Sequence, residues 1–155
     1  MGMEMTFKTL PPMRLATVPH RGSYQEIGPA FRKLGEIAGP AGLLARTSGH
    51  MMGLYMDDPR TTPVGELRSA AALPVSEAET LPAGVVEERL DGGRFACFLH
   101  VGPYEGLRAA WAEAVSTFLS SGHQRRTGPS LELYLNDPMQ VRPDALQTEI
   151  AIPME

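Results

Sequence analysis

Glu132 is the residue whose setting most invites chemistry. Leu131, Leu133 and Leu135 alternate onto one face of an extended run, which leaves Glu132, Tyr134 and Asn136 on the other. A carboxylate in such a place can attract a cation or take a proton from water, provided the reacting group comes within hydrogen-bond reach. The alternation leaves two placements open. Glu132 either faces solvent on a half-exposed sheet or forms the polar centre of a groove, where burial demands partners.

The other polar residues point toward structural work. His20 and His100 stand at matched strand ends before helices, where each can fix a strand-to-helix turn by a hydrogen bond, and histidine's near-neutral titration leaves catalysis open. Four histidines and one cysteine with no close pair argue against a metal site. Asp57-Asp58 and Asn136-Asp137 precede prolines and read as turn formers. Cys97 alternates within an apolar strand and reads as buried, while Arg125-Arg126, before Gly128-Pro129, reads as a solvated turn. Neither a Gly-x-Ser-x-Gly elbow nor a phosphate-binding glycine loop occurs, so no cofactor is expected.

The elements that must carry these residues occur twice. Shifted by eighty positions, Arg14, Ala16, His20, Gly22 and Tyr24 fall on Arg94, Ala96, His100, Gly102 and Tyr104. At an offset of 79, Leu54, Tyr55, Asp58 and Pro59 fall on Leu133, Tyr134, Asp137 and Pro138, and Leu67, Ala72 and Pro74 on Leu146, Ala151 and Pro153. The counterpart of Glu132 is Gly53, and that of Tyr134 is Tyr55. One half thus holds a carboxylate where the other has no side chain.

Each copy reads as a hairpin, a helix and two strands. The first hairpin is Glu4 to Leu10, Pro11-Pro12, then Arg14 to His20; the second is Val85 to Leu90, Asp91-Gly92-Gly93, then Arg94 to Val101. Ser23 and Glu26 have capping-box spacing, Pro103 suits a first helical position, and Pro29 delays or bends the first helix. Ile27, Ala30, Phe31, Leu34 and Ala38 form one helical stripe; Leu107, Ala110, Trp111, Ala114, Val115 and Phe118 form the other. The closing strands are His50 to Met56 with Arg68 to Pro74, and Leu131 to Asn136 with Gln147 to Pro153. The expectation is an α+β fold: one domain over 1–155, with repeat 1 over 1–75, repeat 2 over 85–155, and a polar linker at Ser76 to Gly84. An antiparallel sheet would carry two helices, with a pseudo-twofold groove between the halves.

Composition bounds the partners. The chain has 155 residues, 43% hydrophobic and 21% charged, with a net charge of -4. That balance disfavours nucleic-acid binding. No apolar run approaches the roughly 20 residues that span a bilayer, no secretory signal opens the chain, and a single cysteine suits a reducing compartment. A cytoplasmic protein is expected.

The pieces His100-x-Gly102-Pro103-Tyr104, Glu132-x-Tyr134-x-Asn136-Asp137-Pro138 and Ile150-Ala151-Ile152-Pro153 together resemble the gyrase-inhibitor-like (GyrI-like) small-molecule-binding family. That family includes effector-binding domains of AraC-type and MerR-type regulators. The resemblance implies a groove in which Glu132 faces lipophilic cations and Tyr134 forms a wall. Tyr55 joins by the repeat, and the nine methionines, with Met51, Met52 and Met56 about one strand, offer either adaptable wall or core filling. Trp111 is a further wall candidate, although its stripe also fits core packing.

No helix-turn-helix is recognised before the first strand, so a stand-alone role follows as an expectation. Three readings compete. The first is a module that binds a lipophilic or cationic small molecule through Glu132, Tyr134, Tyr55 and Trp111. The second is a hydrolase of cyclopropane-bearing genotoxins, with Glu132 as general base. The third is an inhibitor of DNA gyrase by protein contact, to which no residue here points.

Overall fold

A computed structural model describes residues 3–155. Eight strands and three α-helices are present among them: β1 (Thr6–Leu10), β2 (Met13–Arg21), α1 (Gly28–Ala38), α2 (Leu43–Arg46), β3 (Met52–Tyr55), β4 (Arg68–Pro74), β5 (Val86–Leu90), β6 (Gly93–Val101), α3 (Leu107–Ser120), β7 (Ser130–Tyr134) and β8 (Gln147–Pro153). The class is α+β with antiparallel pairing, and each half repeats the same succession of elements except that α2 occurs in the first half alone among the described residues. Helix α2 was not anticipated.

The chain divides into two compact units, one of residues 11–91 and one that joins 92–155 to the N-terminal segment. That division corrects the expected hairpins. β1 does not fold back on β2 but pairs with β6, Thr6 opposite Cys97 and Thr9 opposite Arg94. β5 pairs with β2, Leu15 opposite Glu88. The opening strands are therefore exchanged between the repeats. Pro11-Pro12 excludes the primed turns a tight hairpin needs. At the second junction Arg126 donates to the carbonyl of Arg94 at 3.1 Å and packs over the Phe95 ring, 5.0 Å from its centroid. Arg125-Arg126 is thus a fastening, not a solvated turn.

Charged contacts fix the exchanged strands. Lys8 on β1 reaches Glu149 on β8 at 2.6 Å, and that hydrogen bond raises the Lys8 pKa. Arg14 on β2 holds Glu87 of β5 at 2.6 Å and donates to the carbonyls of Ser76 and Glu79 at 2.8 Å, so the linker is tied down as well. Burial pushes the Cys97 thiol up to about 12, which leaves it inert as a nucleophile.

The helices start later than the capping signals suggest. Ser23 accepts from the amide of Gln25 and opens a 3₁₀ turn, Tyr24–Glu26, before α1. Pro103 likewise precedes the 3₁₀ turn Tyr104–Gly106 ahead of α3. Pro29 falls in the first helical positions of α1, where no amide is lost. Ala110, Ala114 and Phe118 pack against Ala96, Phe98, Ile150 and Ile152, while Ala30, Leu34 and Ala38 form the matching buried stripe of α1. Small alanines let each helix approach its sheet closely.

The exchange makes a specific prediction. In a Cys97→Ala background, Thr9→Cys with Arg94→Cys brings two exposed thiols opposite one another on β1 and β6. Mild oxidation should close an intrachain disulfide, read as loss of both free thiols. Two thiols that persist under oxidation would return β1 to a local hairpin.

Candidate functional site

β7 lies beside β8, with Glu132 opposite Ile150 and Tyr134 opposite Thr148. That register turns Glu132 and Tyr134 toward the face that α3 covers, since Ile150 belongs to the cluster packed against α3. Leu131 and Leu133 on the other face are also buried. Both faces of β7 are therefore shielded, and the solvent-facing placement of Glu132 gives way to a buried one at 6% exposure.

The carboxylate is held by two aromatic donors. Trp111 Nε1 on α3 donates to Glu132 Oε2 at 2.5 Å. The Tyr134 hydroxyl donates to Oε1 at 2.5 Å. The half-buried Trp111 also packs against the α3 core, so the core-packing role that its place on the stripe allowed is present together with the bond to Glu132. Hydrogen bonds to the ionised form compensate for the water that burial removes.

Tyr104 completes the corner and was missed as a site residue, although its matched place after His100 was visible in the sequence. Its ring meets that of Tyr134 edge-on, centroids 5.8 Å apart. Burial, then the negative charges of Asp137 and Glu132, raise the Tyr104 pKa.

The equivalent corner in the other unit is neutral. Tyr55 meets Tyr24 edge-on at 4.9 Å, and Phe31 takes the place of Trp111. A Cβ on Gly53 would lie 2.7 Å from the Tyr55 hydroxyl. Tyr55 thus folds over the position that holds Glu132 in the other copy. The structure brings Glu132, Tyr134 and Trp111 together in one unit, while Tyr55 belongs to the other.

The remaining candidates do structural work. His20 Nε2 bonds the carbonyl of Ser23 at 2.9 Å and His100 Nε2 that of Pro103 at 3.0 Å, which fixes both strand-to-helix turns. Asp57 and Asn136 accept from the amides of Arg68 and Gln147, again at matched positions. No group of three or more metal-ligating side chains occurs among the described residues. Two buried hydroxyls, Ser69 Oγ and Thr148 Oγ1, have no hydrogen-bond partner; such an omission costs about 1–3 kcal/mol each.

Residues 3–155 match the model of the GyrI-like small molecule binding domain. The chain belongs to that family. This GyrI-like domain is 27% identical over 156 residues to the probable transcriptional regulator YgiV of Escherichia coli K12, covering 98% of this chain and 96% of the relative. Among solved structures, SAV2435 bound to tetraphenylphosphonium has a TM-score of 0.73 at 15% identity, covering 99% of this chain and 94% of that one. A hydrolase from Listeria innocua has a TM-score of 0.68 at 16% identity, covering 99% and 93%. At these identities the two structures share the fold of the GyrI-like domain. Among the described residues no helix is long and apolar enough to cross a membrane.

Two measurements check the corner. Trp111→Phe removes the indole donor and should destabilise the GyrI-like domain by about 1–3 kcal/mol in urea unfolding followed by circular dichroism. Burial is the main cause of the raised pKa at both Tyr24 and Tyr104. Their folded forms keep the phenol proton after the unfolded chain has released it, so stability should be fully present below pH 10 and fall as pH rises above it. Tyr24→Phe with Tyr104→Phe should flatten that alkaline fall.

Proposed function

We propose that this GyrI-like domain binds a lipophilic cation at Glu132. The observation that carries the reading is the buried carboxylate whose two oxygens are held by an indole and a phenol. A cation that meets this carboxylate does so at low dielectric, where the attraction greatly exceeds its value in water. The rings of Trp111, Tyr134 and Tyr104 add cation–π contact. In this reading residues 1–155 form one GyrI-like domain, and repeat 2 (85–155) supplies the charged pole. The tetraphenylphosphonium bound to SAV2435, a protein of the same fold, is a ligand of the proposed chemistry.

Binding is then an exchange. The cation takes over the carboxylate that Trp111 and Tyr134 cap in the free protein, and the two donors turn to other partners or to water. Apolar substituents on the ligand cover the aromatic faces and keep water from the charge pair.

A second reading uses the same carboxylate. Glu132 as a general base would take a proton from water as the water oxygen bonds to a cyclopropane carbon; the ring C–C bond breaks, its electron pair passes to the released carbon, and the proton held by Glu132 returns there. The Listeria innocua protein of this fold is called a hydrolase. Consumption of such a compound separates the two readings.

Trp111 is the only tryptophan of the chain and touches Glu132, so its fluorescence reports on the site directly. Titration with tetraphenylphosphonium should change that emission saturably, and Glu132→Gln should weaken binding by about tenfold or more while the fold persists (one decade is about 1.4 kcal/mol). Unchanged affinity in the variant sinks the cation reading. Glu132-dependent consumption of a cyclopropane compound would instead establish turnover.

A further inference from the structure

The two unpartnered hydroxyls occupy the same place in both repeats. Thr148 lies directly opposite Tyr134 on β7, and Ser69 directly opposite Tyr55 on β3. On their other sides stand His100 and His20, whose Nε2 atoms are engaged with the carbonyls of Pro103 and Ser23. Thr148 has no exposed surface and Ser69 only 2%. Neither hydroxyl has a hydrogen-bond partner. In a strand packed this closely, valine or alanine would fill the same space with no polar atom to satisfy. Of the two, the Thr148 hydroxyl lies in the unit that holds the buried carboxylate.

The position of Thr148 says where a partner would come from. Direct antiparallel neighbours carry their Cβ atoms about 5 Å apart on one face. Thr148 thus shares the α3-covered face with Tyr134 and, one row along β7, with Glu132. Tyr134 is the side chain that a cation displaces when it takes Oε1 of Glu132. A ligand that takes the place of that hydroxyl would have the carboxylate and the Thr148 hydroxyl on one face, on neighbouring strands.

We propose that Thr148 is a specificity-determining residue of the Glu132 site, where its hydroxyl bonds a polar group carried by the bound cation. The inference rests on the cation-binding reading above and adds the class of ligand. Because a hydroxyl both donates and accepts, it selects planar aromatic cations with amino or oxygen substituents over cations sheathed in apolar groups. Tetraphenylphosphonium, which has no hydrogen-bonding group, would use Glu132 and ignore Thr148.

The test compares wild type, Thr148→Val and Glu132→Gln. Calorimetric titrations would use three probes: proflavine, its tetramethylated analogue acridine orange, and tetraphenylphosphonium. Valine matches threonine in shape, so Thr148→Val should keep or raise the Tm. It should weaken proflavine about tenfold, the scale of one lost hydrogen bond in a buried site, and leave the other two within about twofold. Equal losses for all three probes, no loss for proflavine, or no proflavine binding by the wild type would each overturn the proposal. If Glu132→Gln weakens tetraphenylphosphonium while proflavine ignores Thr148→Val, this inference fails and the cation reading stands. If no probe binds the wild type, both fail.

Discussion

A charge removed from water must be compensated where it lies, and in this protein that requirement falls on Glu132. The strand that carries it has leucines on its other face, Leu131 and Leu133, which are buried in turn. With both faces of β7 buried, turning the strand over would not return the carboxylate to solvent. The donors must therefore come to the carboxylate: one from the helix above, one from the same strand two residues on. The choice of tryptophan on the α3 stripe answers that need. The 3₁₀ turn ahead of α3 places Tyr104 against Tyr134 and closes the corner.

The duplicated chain contains its own control. The unit with Gly53 satisfies the same geometry with a folded-over tyrosine and no charge. Trp111 becomes Phe31, which has no donor to offer, and the loss is consistent because there is no carboxylate to receive one. The indole donor and its acceptor are present together or absent together, while the tyrosine is kept in both. The paired change separates the requirement of the fold, an aromatic residue on the helix and a tyrosine on the strand, from the added requirement of the buried charge.

Much of this was legible in the residues. The repeat register, the strand limits Arg68–Pro74 and Gln147–Pro153, the two helical stripes and the turn role of the histidines all follow from local pattern. Glu132 stood out because one copy had a carboxylate where the other had glycine. Its burial was not legible, because alternation along β7 describes two faces but not what covers them. The exchange of β1 and β5 was missed for a related reason. Turn residues report that a chain can reverse, not which strand waits beside it, and Asp91-Gly92-Gly93 serves a crossing as readily as a hairpin. Thr148 and Ser69 passed unnoticed because a lone hydroxyl in a strand has no signature until its lack of a partner is known.

The exchanged strands also set an order of events as the chain leaves the ribosome. β1 is made first, yet its partner β6 lies some ninety residues downstream, Thr6 opposite Cys97. The unit of residues 11–91 has all its own strands in hand by the time Asp91 emerges. The N-terminal strand must wait through that whole interval with its edge bare, the condition in which strands find wrong partners. Its sequence suits the wait: three of its five residues, Thr6, Lys8 and Thr9, are polar, and a charged, hydroxyl-rich edge resists pairing with another chain. Neither repeat can be cut away without taking a strand from the other, so the duplication, once fused in this way, is inherited and folded as a whole.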